Sequence, residues 1–155
     1  MRRLSIPAAF IPGFVLLILL VGGCLESDTH TPNSGTPAAR SVLVNYQVTG
    51  GIVGYKDQLT IYDDGHADLQ RKNVGREFTL DSGQVTALKD LLNKADFPGL
   101  KGEYLNINGG ADLIKYSITY QVNDKKYTVI TEDTAVPDAL QPVLTKMNQL
   151  ISSNS

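Results

Sequence analysis

The hydrophobic period of this chain changes three times along its length, and those changes limit the fold more than any composition figure does. SVLVNYQVT, from Ser41, alternates and sets Val42, Val44, Tyr46 and Val48 on one face of a strand. DQLTIYDDGHADLQRK keeps that period as a hairpin turning at Asp64-Gly65. Leu59 and Ile61 face inward on one arm, Ala67 and Leu69 on the other. REFTL, with Phe78 and Leu80, adds a short fourth strand. The period then lengthens. Val85, Leu88, Leu91, Leu92 and Ala95 fall on one helical stripe, opened by a capping-box variant at Asp81 and Gln84 and stopped at Pro98-Gly99. Alternation returns at Ile114, Tyr116, Ile118, Tyr120 and Val122, and Asn123-Asp124 takes the turn of a second hairpin. The last stripe is Leu140, Val143, Leu144, Met147, Leu150 and Ile151. Pro142 either kinks that helix or follows a short turn and marks its start. The expected fold is α+β in two layers: an antiparallel sheet with two main helices packed on one face.

This domain does not fill the chain. MRRLSIPAAFIPGFVLLILLVGGC runs from Arg2-Arg3 through an apolar stretch to small residues before Cys24, the one cysteine. That is the layout of a secretory signal. The stretch is densest from Phe14 to Val21, short of the roughly 20 residues of a membrane span; an uncleaved anchor that includes the Pro-broken part from Ile6 is the alternative. Val21-Gly22-Gly23-Cys24 resembles the lipobox of prokaryotic lipoproteins, in which peptidase cleavage precedes a lipidated cysteine. A lone exported cysteine has no internal disulfide partner, so an unpaired thiol is the bland reading of Cys24. LESDTHTPNSGTPAAR has almost no large apolar residue and reads as a flexible tether of at most about 50 Å. The expected organisation is a signal peptide at 1–23, lipidated Cys24 and tether at 24–40, and a folded domain at 41–153. The domain would lie outside the cytoplasm, held to the membrane through Cys24.

Chemistry is sparse. Without Arg2 and Arg3 the 14 basic residues become 12 against 16 acidic ones, a net charge of −4, and no basic patch points to nucleic acid. Of the two histidines, His30 is in the tether and His66 follows the Asp64-Gly65 turn. Asp63, Asp64, His66 and Asp68 do not make an EF-hand pattern and read as a polar hairpin tip. No serine lies in Gly-x-Ser-x-Gly. No catalytic residue, metal or cofactor is expected.

Three loops are marked instead: TGGIVGY at 49–55, EYLNINGGAD at 103–112 and TEDTAVP at 131–137. TGGIVGY lacks the Lys-Ser/Thr of a phosphate loop, and a strand follows it where a dinucleotide fingerprint needs a helix. Loops on a rigid scaffold carry function, so the candidate binding residues are Gly50, Gly51, Ile52, Gly54, Tyr55, Gly109, Gly110, Asp112, Glu132 and Asp133. The second hairpin places Asn108 to Asp112 and Glu132 to Thr134 at one end of the sheet. Whether 49–55 joins them depends on strand order, which stays open. Each has a structural alternative. Gly50-Gly51 and Gly109-Gly110 suit bulges or positive-φ turns, and Asp133 or Thr134 suits a helix cap.

The order GGIVGY–DQLTIYDDG, REFTL with a capped helix ending ADFPGL, EYL, GGADLIKYSITY and TEDTAVPDALQPVLTKMN resembles emfourin-like domains over nearly all of 41–151. Gly50-Gly51-Ile52, Gly109-Gly110-Ala111-Asp112 and Thr131-Glu132-Asp133 weigh most in that resemblance. It implies an α+β fold and inhibition of a thermolysin-like metallopeptidase, with no chemistry of its own. The signal, lipobox and tether depart from that family. The partners so implied are a metallopeptidase and the membrane, for a monomeric chain. A non-catalytic cell-surface module binding a protein or small ligand is the alternative.

Overall fold

Asp64-Gly65 and Asn123-Asp124 fold the chain back on itself twice, and each turn is built by the backbone its residues tolerate. In the computed structural model, which describes residues 40–110 and 112–155, Asn123 and Asp124 take φ of 50° and 59°. Paired positive φ is the geometry of a two-residue hairpin turn. The expected signal, Cys24 and all of the tether but Arg40 lie outside the described residues.

The elements are β1 (Val42–Gly50), β2 (Tyr55–Tyr62), β3 (His66–Arg71), β4 (Val74–Thr79), α1 (Ser82–Lys94), β5 (Glu103–Tyr104), β6 (Ile114–Val122), β7 (Lys125–Glu132) and α2 (Gln141–Ser153). The fold is α+β, with two helices and one seven-stranded sheet in the order β4-β3-β2-β1-β6-β7-β5. An all-antiparallel sheet was expected. The sheet is mixed, because β5 pairs in parallel with β7 through Glu103↔Ile130 and Tyr104↔Thr131. The chain leaves β4 at one edge, forms α1, and returns at the opposite edge, so nothing constrains β5 to oppose its neighbour as a hairpin would.

Alternation places Leu59, Ile61, Ala67, Leu69, Ile118, Tyr120 and Val129 in one core with Val85, Leu88 and Leu92 of α1 and Val143, Leu144 and Met147 of α2. β1 departs from strict alternation. Leu43 is buried and Val42 only half-buried, because the register slips by one residue between Val42 and Val44. Such a bulge turns successive side chains to the same side. Tyr46, fully buried, donates its hydroxyl to Asn148 Oδ1 at 2.8 Å and ties β1 to α2. Burial raises its phenol far above the ordinary value.

Asp81 caps α1 as a full box. Gln84 N–H donates to Asp81 Oδ1 at 2.8 Å, and Asp81 N–H to Gln84 Oε1 at 2.9 Å. Asp81→Ala removes one of those bonds and is expected to lower stability by about 1 kcal/mol in a denaturant titration. At the other proline site the chain makes a short 3-10 turn, Asp138–Leu140, and α2 starts at Gln141 with Pro142 in its first turn. There the missing N–H has no intrahelical partner to lose.

Candidate functional site

Strand order settles what spacing left open. β1 lies between β2 and β6, so the end of β1, the start of β2, the start of β6 and the end of β7 fall at one end of the sheet. β5 runs parallel to β7, so the segment leaving Tyr104 emerges there as well. All three marked loops therefore meet at the same end.

Main-chain bonds join them. Gly50 pairs with Ile114, and Gly51 N–H donates to the Leu113 carbonyl at 3.1 Å. Asp133 N–H donates to the Ile114 carbonyl at 2.9 Å, so Leu113-Ile114 is held between the first and third loops. Asn106 closes the group. Its N–H reaches Glu132 Oε2 at 2.9 Å and its amide nitrogen reaches Thr134 Oγ1 at 3.2 Å. Asn106 Oδ1 in turn accepts from the Asn108 N–H at 3.0 Å.

The glycines of TGGIVGY now have a reason. Gly50 has φ +86°, and a Cβ on it would sit 2.6 Å from the Leu113 carbonyl oxygen. A side chain there is excluded twice, by backbone conformation and by the neighbouring strand. Gly54 and Gly109 also take positive φ, but in open space, while Gly110 lies against the Leu113 side chain.

The carboxylates divide. Glu132 is half-buried and committed to Asn106, so it holds the second loop in place. Asp112 and Asp133 are exposed. Neither Asp133 nor Thr134 caps a helix, since the cap positions are Pro137 and Leu140 and no side-chain cap bond is made at either. Tyr55 and Tyr116 are half-buried beneath the loops. Burial raises the Tyr116 phenol above its ordinary range, and the Asp133 charge adds to the effect.

Sequence reading missed the most telling feature. The exposed large apolar residues of the described chain are Ile52 (87%), Val53, Val74, Leu105 and Ile107 (101%), and every one stands at this end of the sheet. Val74 belongs here because the β3–β4 turn bonds back through Lys72 N–H to the Lys56 carbonyl at 3.2 Å. Only Ile52 was among the candidates. Isolated apolar residues in polar loops carry no periodic signal, and strand order alone places them at one end, with Val74 at the β4 edge and Leu105 and Ile107 at the β5 edge. No family model matches the chain, and no curated protein matches it.

Proposed function

We propose that this chain is a membrane-anchored surface lipoprotein whose domain inhibits a thermolysin-like metallopeptidase through the loops at 49–55, 103–112 and 131–137. In this reading Cys24 carries the lipid and the tether holds the domain outside the membrane. The helices cover one face of the sheet as a second layer. The chain acts by binding, not by catalysis. Its motif order and its likeness to emfourin-like domains suggest the target class.

One observation carries the reading: exposed apolar side chains at one end of the sheet, on loops tied to their neighbours by main-chain bonds at Gly51 and Asp133 and by side-chain bonds at Asn106. Exposed apolar groups of this kind mark interaction sites when they cluster. Loops already ordered lose less conformational freedom on binding, which favours affinity. Asp112 or Asp133 supplies a carboxylate for the partner's zinc, and the metal belongs to the partner. The whole chain, in mild detergent, should inhibit a thermolysin-like peptidase from the same organism at a one-to-one ratio. Full peptidase activity in the presence of excess folded chain would remove the inhibitor reading. A non-catalytic surface module that binds a protein or small ligand would then take its place.

A further inference from the structure

At the start of β3, on the face opposite Ala67 and Leu69, three donor groups from two strands converge. His66 Nε2 lies 3.0 Å from Asp68 Oδ1 and 3.8 Å from Glu77 Oε2. One donor atom from each residue lies within 4.8 Å of the others. The topology makes this inevitable: His66 and Asp68 share a strand face, and Glu77 is the cross-strand partner of Asp68 in β4.

That pairing is unfavourable by itself. Two carboxylates directly opposite on adjacent strands repel. Among the described residues, no lysine or arginine nitrogen comes within 4.0 Å of either, and only His66 stands between them. A dication would reverse the sign of the interaction. The spacing suits one: zinc bonds of about 2.0–2.2 Å in tetrahedral geometry put ligand atoms roughly 3.4 Å apart, between the two observed separations. Asp68 is already oriented, because Tyr62 donates its hydroxyl to Asp68 Oδ2 at 2.9 Å, leaving Oδ1 for a cation. Ligating carboxylates are commonly held in this way. His66 is held against the Tyr62 ring, with centroids 5.7 Å apart. An open polar trough of about 730 Å³, lined by Thr60, Tyr62, Asp68, Gln70, Arg76 and Glu77, gives access to water for the remaining coordination positions.

We infer that His66, Asp68 and Glu77 form a binding site for a divalent first-row transition metal ion. The imidazole selects zinc-like ions over magnesium or calcium, which favour all-oxygen sites. The site is on a different surface from the loop end and is independent of the inhibitor reading. The sequence pattern concealed it, because Glu77 is on another strand and the residues near the Asp64-Gly65 turn read as a polar tip.

The test is calorimetric titration of the whole chain in detergent with zinc chloride, alongside His66→Ala and Glu77→Gln. Glu77 is largely exposed, so Glu77→Gln keeps the fold even if His66→Ala does not. Thermal unfolding without zinc checks both. The expected result is one zinc equivalent that either substitution weakens at least about tenfold, and a zinc-dependent rise in the unfolding midpoint that both lose. Zinc binding unchanged by Glu77→Gln would overturn the site, because the ions would then be held by other groups of the chain. So would the absence of binding up to about 1 mM zinc.

Discussion

Replacing Ile52 and Ile107 together by aspartate is expected to weaken inhibition of the peptidase at least about 100-fold, with the unfolding midpoint unchanged. Each residue is almost fully exposed in the free chain, so neither contributes to the core. In a complex each would be desolvated in the partner's cleft. Truncating one central apolar contact typically costs about 2 kcal/mol or more, roughly 30-fold, and a buried unpaired carboxylate costs further. Lys125→Asp serves as the control, since it introduces the same charge at the opposite end of the β6–β7 hairpin. Inhibition constants for the three proteins decide the matter. If the double variant inhibits as the parent does, these apolar loops are not the contact surface.

The second large effect is on the scaffold of that surface. Gly50→Ala is expected to destabilise the domain by about 2–4 kcal/mol and to weaken inhibition with it. About 1–3 kcal/mol comes from forcing a residue with Cβ to φ +86°. The rest comes from the carbonyl oxygen of Leu113, 2.6 Å from the new carbon, which belongs to backbone and cannot rotate away. Gly54→Ala separates the two causes. Its φ is +66° but nothing lies within 4 Å, so it should show the conformational cost alone. Equal losses in the two variants, measured by denaturant titration, would show that the Leu113 contact does not matter. A smaller loss at Gly50 would mean that the β1–β6 junction adjusts freely.

Much of the fold was legible because it is local. Alternation named Leu59, Ile61, Ala67 and Leu69 as inward, and all four are buried. The Asp81–Gln84 box and the Asn123-Asp124 turn are short-range chemistry, visible within four residues. Pro142 left two readings, and the first-turn one holds. What stayed hidden depends on long-range pairing. The burial of Leu43 follows from a register slip against β2, which alternation within β1 cannot record. β5 has only two residues, and its parallel pairing is set by where the chain re-enters the sheet.

The site divides along the same line. The juxtaposition of 108–112 with 132–134 followed from one hairpin. The position of 49–55 required β1 to pair with β6 across more than sixty residues of sequence, as Gly50 does with Ile114. Glu132, a candidate binding residue by sequence, is instead engaged within the chain, where it accepts from the Asn106 N–H. Leu105 and Ile107, which carry much of the binding proposal, had no pattern to distinguish them.

Amide hydrogen exchange of the whole chain, with and without the peptidase, tests the central claim most directly. Binding through the loop end should slow exchange in the amides of 51–55, 105–113 and 133–136, leaving the turns at 63–65 and 123–124 unchanged. Protection confined to those two turns, or no protection with excess peptidase present, would contradict the assignment of this end of the sheet as the inhibitory surface.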